Sequence, residues 1–389
     1  MPRLTMLLPH YPPDVAADGQ LFSLLARELV KSGVQVRVLT WRPRYQGASA
    51  SAPGRELVDG VDVRRCWAPR TGKSMLGRAF AAWWLSCTGL LRALFSSGTL
   101  LIPSSPPTLG LVGWWLSWLG RRYIYVLHDI HPELGIALGR MKPGLLAGVL
   151  RFVQRRNLAR GLTVAITEGM AAKARDLQPA TRATVIENWV DTQAITPLAK
   201  ADSAFARAHG LLDRFTLQYS GNLGLLHPLG GLTRAMKLLP EVALCYIGRG
   251  ARLDDTKAEA ADSENVRFFD YQPLERLADS LAACDVAVVA LEPGADQLAM
   301  PSKLTGILAA GRPVLVLAPE SSELAQLVQQ HGCGVVVSDF DNPQAVAAAI
   351  SKLQQDATAC TTMAQKARAL AEDRFSLERA TGLYRGLLN

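Results

Sequence analysis

The sequence predicts an α/β protein built from two doubly wound parallel-sheet domains. Short apolar runs recur along the chain, each ending in a turn rich in glycine or proline and followed by a helical stretch. That is the pattern of buried parallel strands joined by crossover helices. At 389 residues the chain is too long for one ordinary core. The pattern also starts twice, at residues 4–8 and again at 215–219, and each start is followed by a loop holding glycine.

Composition narrows the class. Hydrophobic residues are 49% and charged residues 20%, as in a folded and fairly apolar globular protein. Cysteines 66, 87, 245, 284, 333 and 360 lie far apart with no metal or redox spacing, which predicts reduced thiols in the cytoplasm. Met1-Pro2-Arg3 leads straight into the first apolar run with no signal peptide. Residues 1–195 hold 24 Lys+Arg against 12 Asp+Glu, whereas 196–389 hold 18 against 22. The basic first half points to an anionic membrane surface or a lipid phosphate. Its basic residues are scattered and no nucleic-acid motif appears, so nucleic acid is not expected as a partner.

In order, residues 4–8 read as a strand ended by Pro9-His10-Tyr11-Pro12-Pro13. Residues 14–19 read as a loop in which Gly19 permits close approach of a ligand. Residues 20–32 read as an amphipathic helix stopped by Gly33. Strands follow at 34–40 and 61–67. Thr71-Gly72-Lys73-Ser74 resembles the end of a P-loop, but Trp67 stands where its first glycine belongs, leaving a polar loop. Residues 79–120 are the most apolar part. Arg92 and the prolines at 103, 106 and 107 break them below the length of a membrane span. They read as two helices around a strand at 99–102. Five tryptophans and the doublets Arg121-Arg122 and Arg155-Arg156 keep a contact with a membrane interface open. The strand 123–127 runs into His128-Asp129-Ile130-His131-Pro132-Glu133 at the functional edge of the sheet. His128 reads as a general base or hydroxyl orienter, and Asp129 as its partner or a sugar ligand; a structural His with a loop-capping Asp is the alternative. The spacing of His128, His131 and Glu133 matches no strong zinc motif. Strands at 162–167 and 183–186 close the first half, and a polar linker spans 192–207.

The second half opens with the strand 215–219 and Ser220-Gly221-Asn222-Leu223-Gly224, whose backbone N–H groups are expected to close on a phosphate. A helix at 230–238, strands at 243–247 and 266–269, a helix at 274–284 and a strand at 285–291 follow. Gly248-Arg249-Gly250 is a weak phosphate signal. Pro301-Ser302-Lys303-Leu304-Thr305 then starts a helix whose N-terminus, hydroxyl and cation suit a diphosphate; an ordinary capped helix with an exposed Lys is the alternative. A strand follows at 314–317, the last strand is at 335–337, and helices at 345–353 and 361–388 finish the chain.

This ordered set resembles the family-4 retaining glycosyltransferases of the GT-B fold, closest to the branch that builds O-antigens, capsules and exopolysaccharides. The resemblance rests on Tyr11-Pro12-Pro13 with Gly19, His128-Asp129 with Pro132-Glu133, Asn188-Trp189-Val190-Asp191, Tyr219-Ser220-Gly221-Asn222-Leu223-Gly224, Ile247-Gly248 with Arg252, Pro301-Ser302-Lys303-Leu304 and Ala310-Gly311-Arg312-Pro313-Val314. It implies two Rossmann-like domains facing a cleft. Residues 1–195, with a closing helix at about 375–389 crossing back, would bind the acceptor. Residues 208–372 would bind the donor. It further implies a nucleotide diphosphate sugar as co-substrate, UDP ahead of GDP. The acceptor would be a saccharide on a polyprenyl diphosphate, and the site peripheral on the inner face of the cytoplasmic membrane. No metal and no other cofactor is implied. Gly221, Asn222, Leu223, Gly224, Gly248, Arg249, Ser302, Lys303, Leu304 and Thr305 would hold the diphosphate, with Phe269, Asp270, Tyr271 and Gln272 near the base. Asp18, Gly19, Met300 and Pro301 would meet the transferred sugar and acceptor. His128, Asp129 and Lys303 would be catalytic. Two departures stand out. The Glu pair that binds ribose in many members falls at Leu298 and Gly306, leaving Glu292 and Asp296 as substitutes. The Arg and Lys of the first C-terminal loop fall at Asn222 and His227, so Lys303 becomes the main cation. A GT-B-fold nucleotide-sugar epimerase and a non-catalytic nucleotide-sugar-binding partner of a membrane assembly are the competing readings.

Overall fold

The computed structural model describes the chain apart from Val15, residues 43–51, Ala68, residues 70–74, Leu225, Asp296 and Asn389. The polar loop at 71–74 and the carboxylate of Asp296 therefore lie outside the described residues. The chain divides into two units, Met1–Trp189 with Leu377–Asn389, and Val190–Ser376.

Unit 1 is built on strands β1 (Arg3–Leu7), β2 (Gln35–Trp41), β3 (Arg55–Val58), β4 (Val61–Cys66), β5 (Thr99–Pro103), β6 (Tyr123–Leu127), β7 (Leu162–Ala165) and β8 (Arg182–Val185). Their order across the sheet is β3-β4-β2-β1-β5-β6-β7-β8, and every pairing is parallel except β3 with β4. Every residue of β5 and β6 is buried, which explains their unbroken apolar sequences. The helices of this unit are α1 (Ala17–Lys31), α2 (Met75–Leu94), α3 (Gly110–Ser117), α4 (Glu133–Ala137), α5 (Leu145–Leu158) and α6 (Glu168–Leu177). α1 starts three residues earlier than its sequence pattern predicts. Asp18 and Gly19 therefore lie in its first turn, not in a loop, and a Cβ on Gly19 would press on the His10 backbone at 3.0 Å.

Unit 2 contains α7 (Ala204–Ala208), β9 (Thr216–Ser220), α8 (Gly230–Ala235), β10 (Ala243–Ile247), α9 (Leu253–Glu259), β11 (Val266–Phe269), α10 (Leu277–Ala282), β12 (Val286–Ala290), α11 (Lys303–Ala309), β13 (Val314–Leu317), α12 (Glu323–His331), β14 (Gly334–Val337), α13 (Pro343–Gln355) and α14 (Ala357–Arg374). The sheet order is β11-β10-β9-β12-β13-β14, all parallel. Strand order reverses between β9 and β12, and in such sheets ligands bind outside the carboxyl ends of the strands at that reversal. The polar linker expected over 192–207 is helical at its end, where the Ser203 hydroxyl caps α7.

The last helix expected over 361–388 is two helices, α14 and α15 (Leu377–Gly386). They part because Val190 N–H bonds to the Phe375 carbonyl at 2.8 Å and Val190 bridges Ser376 as in a strand, which takes those residues out of helical register. α15 packs on α1 in unit 1, where Tyr384 meets Trp189 edge-on at 5.4 Å.

Backbones run close where α8 passes the turn before α13. A Cβ on Gly231 would lie 1.8 Å from the Phe340 carbonyl oxygen. Gly231→Ala is therefore expected to destabilise unit 2 by about 2–4 kcal/mol. The same change at Gly306 in α11, where a Cβ meets only Leu277 at 3.9 Å, is expected to stabilise it by about 0.5–1 kcal/mol. Denaturation followed by far-UV circular dichroism checks both; opposite signs are the expected result and equal effects would contradict it.

Candidate functional site

The strand reversal of unit 2 gathers residues from four loops. After β9, Gly221 takes φ 130°, and after β10, Gly248 takes φ 138°, conformations that favour glycine. A Cβ on Gly248 would lie 2.1 Å from the Gly221 carbonyl oxygen, so the two loops run almost in contact. They are stitched together by Gly221 N–H to Ile247 O at 2.8 Å and Leu223 N–H to Arg249 O at 2.9 Å. Gly248 N–H likewise bonds Phe269 O at 2.8 Å. The phosphate cradle expected of the 221–224 backbone is thus left without two of its four amides. The amides of Gly221 and Leu223 are consumed by the neighbouring loop.

The side chain of Lys303 offers an anion a further group. Its Nζ is buried and has no hydrogen-bond partner among the described residues. It stands 3.4 Å from the Tyr219 ring centroid, and a Cβ on Gly221 would come within 3.1 Å of it. Burial drives its pKa well below the ordinary lysine range. The exposed-Lys alternative is thus excluded. α11 is only seven residues long, so the amine and not an aligned helix dipole is the group an anion would meet. Ser302 is exposed and caps nothing with its hydroxyl. The Thr305 hydroxyl bonds back to the Ser302 carbonyl at 3.2 Å. Leu223 and Leu304 are core residues, and Pro301 is buried beside half-buried Met300.

His227 belongs to this group and was not among the predicted site residues. Its Nδ1–H donates to the Ala290 carbonyl at 2.8 Å, which leaves Nε2 as the free ring nitrogen. Burial first, and then the Lys303 charge, lower its pKa to about 4. Its backbone carbonyl accepts from Arg252 Nη1 at 3.3 Å. Next to it, Glu292 N–H bonds Leu226 O at 2.8 Å while Glu292 Oε2 is buried without a partner among the described residues. Burial raises the Glu292 pKa against the pull of Arg252. The signal for His227 lay in the sequence, in a lone His following a glycine-bearing first loop. Arg249 sits apart on the surface, paired with Asp270 at 3.0 Å, both more than half exposed. Gln272 bonds the Asp270 carbonyl, Tyr271 is exposed, and Phe269 packs edge-on to Phe205 at 5.1 Å.

Unit 1 holds a second group at the carboxyl ends of β1, β5 and β6. His128 and Asp129 are positioned by Ser104, whose hydroxyl accepts both their backbone N–H groups at 3.1 and 3.2 Å. Ser104 follows β5 and sequence reasoning missed it. The His128 ring lies 5.5 Å from Phe22, its Nε2 is enclosed without a partner, and burial lowers its pKa to about 4. It is therefore neutral at pH 7, as a base or hydroxyl orienter must be. Burial raises the pKa of Asp129, His131 works against that rise and Asp18 adds to it. Asp18 is raised by burial in turn, while its Oδ1 accepts Gly19 N–H at 2.9 Å. Glu133 is held by Arg151 at 2.6 Å. The predicted residues thus separate into a cationic set in unit 2 and an imidazole and carboxylate set in unit 1.

Comparison with known proteins places this arrangement. Residues 19–189 match the glycosyl transferase 4-like domain, and residues 216–356 match the glycosyl transferases group 1 domain. A probable glycosyltransferase WbjE of Pseudomonas aeruginosa is 29% identical over 223 residues, and that match spans 56% of each chain. A putative colanic acid biosynthesis glycosyl transferase WcaI of Escherichia coli K12 is 29% identical over 386 residues, 89% of this chain and 90% of that one. Among solved structures, the sucrose-phosphate synthase of Thermosynechococcus elongatus superposes with a TM-score of 0.80 at 19% identity, covering 100% of this chain and 99% of that one. Anabaena HepE in complex with UDP and glucose superposes with a TM-score of 0.75 at 16% identity over 100% and 99%. Two parallel-sheet α/β units with these neighbours define a GT-B fold. The chain belongs to the family-4 glycosyltransferases of that fold.

Proposed function

We propose that this protein is a retaining glycosyltransferase of cell-surface polysaccharide assembly. It moves a sugar from a nucleotide diphosphate sugar, UDP before GDP, to a saccharide carried on a polyprenyl diphosphate at the cytoplasmic face of the membrane. In the reaction the bond from the anomeric carbon to the diphosphate breaks. A bond to the acceptor oxygen forms, and the acceptor's hydroxyl proton ends on the departing diphosphate. One observation carries the donor assignment: the buried Lys303 amine at the strand reversal of unit 2, unpaired among the described residues. A desolvated cation with no internal partner is costly to maintain, and an anionic leaving group supplies the missing partner. Lys303 would supply the charge at the leaving group without a metal cofactor.

The other assignments follow the chemistry of each group. Glu292 offers an unpartnered carboxylate oxygen for a donor hydroxyl, in place of the absent Glu pair. His128 and Asp129 are assigned to the transferred sugar and acceptor hydroxyl. The lipid-linked acceptor is supported by the excess of basic residues in 1–195. Retention is proposed on family membership alone.

A thermal-shift titration with UDP, GDP, ADP and dTDP, with magnesium or with EDTA, tests the donor. Stabilisation by UDP that is indifferent to magnesium is expected. Incubation with the matching nucleotide sugar and a lipid-linked saccharide should then yield a glycosylated lipid. A new sugar epimer, or binding without turnover, would replace this reading with one of its competitors.

A further inference from the structure

Unit 1 presents a face that its own packing does not explain. α2, α3 and α5 lie side by side in one layer, and none of them contains an Asp or Glu. A helix covering a sheet ordinarily turns polar residues outward. Here the outward positions are apolar. On α2, Phe80, Trp83, Leu91 and Leu94 follow one another along one side and all are exposed, Trp83 to 54%. On α5, Leu145, Val149 and Phe152 form the same kind of stripe, also exposed, and it ends in Arg156. α3 and the turn after it add Trp115 and Trp118, exposed to 58% and 61%.

The polar residues on this face are arginines. Arg156 lies 4.6 Å from the Phe152 ring centroid and Arg160 lies 4.1 Å from that of Trp118. Arg155, Arg156 and Arg160 have no ion-pair partner among the described residues. Between residues 75 and 160 ten Lys and Arg stand against two acids, Asp129 and Glu133, and Glu133 is held by Arg151. No described helix is long and apolar enough to cross a membrane.

We propose that this face rests on an anionic phospholipid surface. Trp83, Trp115, Trp118 and Phe152 enter the headgroup boundary, and Arg155, Arg156 and Arg160 meet lipid phosphates. Tryptophan at the rim of an apolar surface backed by arginine is what an interfacial helix layer requires. A second copy of the chain fits worse, because a two-fold contact through this face would set arginine against arginine with no acid between. The proposal rests on the lipid-linked acceptor reading and gives it a place on the fold.

The test is co-sedimentation of the full chain with vesicles of phosphatidylcholine alone or mixed with phosphatidylglycerol. All eight tryptophans lie within residues 1–189, so a blue shift of their emission reports unit 1. Binding at least about tenfold tighter to the anionic vesicles, and weakened by salt, is expected. A variant combining Trp83→Ser, Trp118→Ser and Phe152→Ser should lose about tenfold or more of that binding while keeping its far-UV spectrum. Arg155→Ser with Arg156→Ser should remove the preference for phosphatidylglycerol. Equal binding to both vesicles, no binding, or unchanged binding by the variants would overturn the proposal, as would a dimer that these changes dissolve. Transfer to a detergent-dispersed lipid acceptor separates the two readings. Normal transfer without vesicle binding sinks the docking face alone, whereas vesicle binding without any transfer sinks the acceptor assignment.

Discussion

Replacing Lys303 with methionine is expected to weaken donor diphosphate binding by roughly 100-fold and to lower turnover at least as far, while making unit 2 more stable. The first effect follows from removing the buried Lys303 amine at the strand reversal. A charge-assisted contact to a phosphate in a water-poor site is worth about 2–4 kcal/mol. The second follows from the free state. The amine is buried without a hydrogen-bond partner over the Tyr219 ring, and the methionine side chain keeps most of its bulk without the desolvation cost. A gain of about 1–2 kcal/mol is expected on that account. The pairing of signs makes the experiment decisive. If Lys303 served the fold through its contact with Tyr219, the substitution would cost stability and leave donor affinity nearly unchanged. Calorimetric titration with the nucleotide identified by thermal shift, alongside urea denaturation followed by far-UV circular dichroism, reads both quantities.

Much of this protein was legible in its sequence because parallel sheets bury their strands on both faces. The runs that became β5, β6, β10 and β12 are apolar nearly throughout, and a turn closes each one. β3 escaped because it is an antiparallel edge strand, Arg-Glu-Leu-Val, with no residue fully buried. α5 escaped because its apolar stripe faces outward while Gln154 and Asn157 are buried, which inverts the usual amphipathic pattern. At the site, Lys303 was legible as a residue but its state was not. Nothing local in Pro301-Ser302-Lys303 says that the amine is sealed beneath Gly221. The glycines of 221–224 were read as a phosphate cradle because glycine frees the backbone. The use the structure shows for Gly221, a close approach of the loops after β9 and β10, depends on a partner 27 residues away, Gly248. Ser104 was missed for the same reason, and His227, placed in the sequence only as a departure from a Lys position, takes its role from what the topology sets beside it.

Two of these buried imidazoles give the protein a marked acid sensitivity. His128 and His227 both have folded pKa values of about 4 because burial opposes their charge. The unfolded value is near 6.5. Between those limits the unfolded chain binds more protons than the folded one, so stability falls as pH drops from about 6.5 towards 4 and is intact above that window. A shift of this size corresponds to at most roughly 3 kcal/mol for each residue, one in each unit. Asp18, Asp129 and Glu292 act in the opposite sense. Their pKa values are raised by burial, so each becomes protonated in the folded state first and offsets part of the loss at the acid end. The histidine contributions are therefore read as differences between the parent and His128→Gln or His227→Asn, the latter keeping a donor for the Ala290 carbonyl. Tryptophan emission follows unit 1 alone, since Val190–Ser376 contains no tryptophan, and far-UV circular dichroism follows both units. Each variant should flatten the pH 4–6.5 limb of one unit and leave the other unchanged. Variant curves that run parallel to the parent across that window would show that both rings are protonated in the folded protein, and would remove the basis for a neutral His128 at the acceptor hydroxyl.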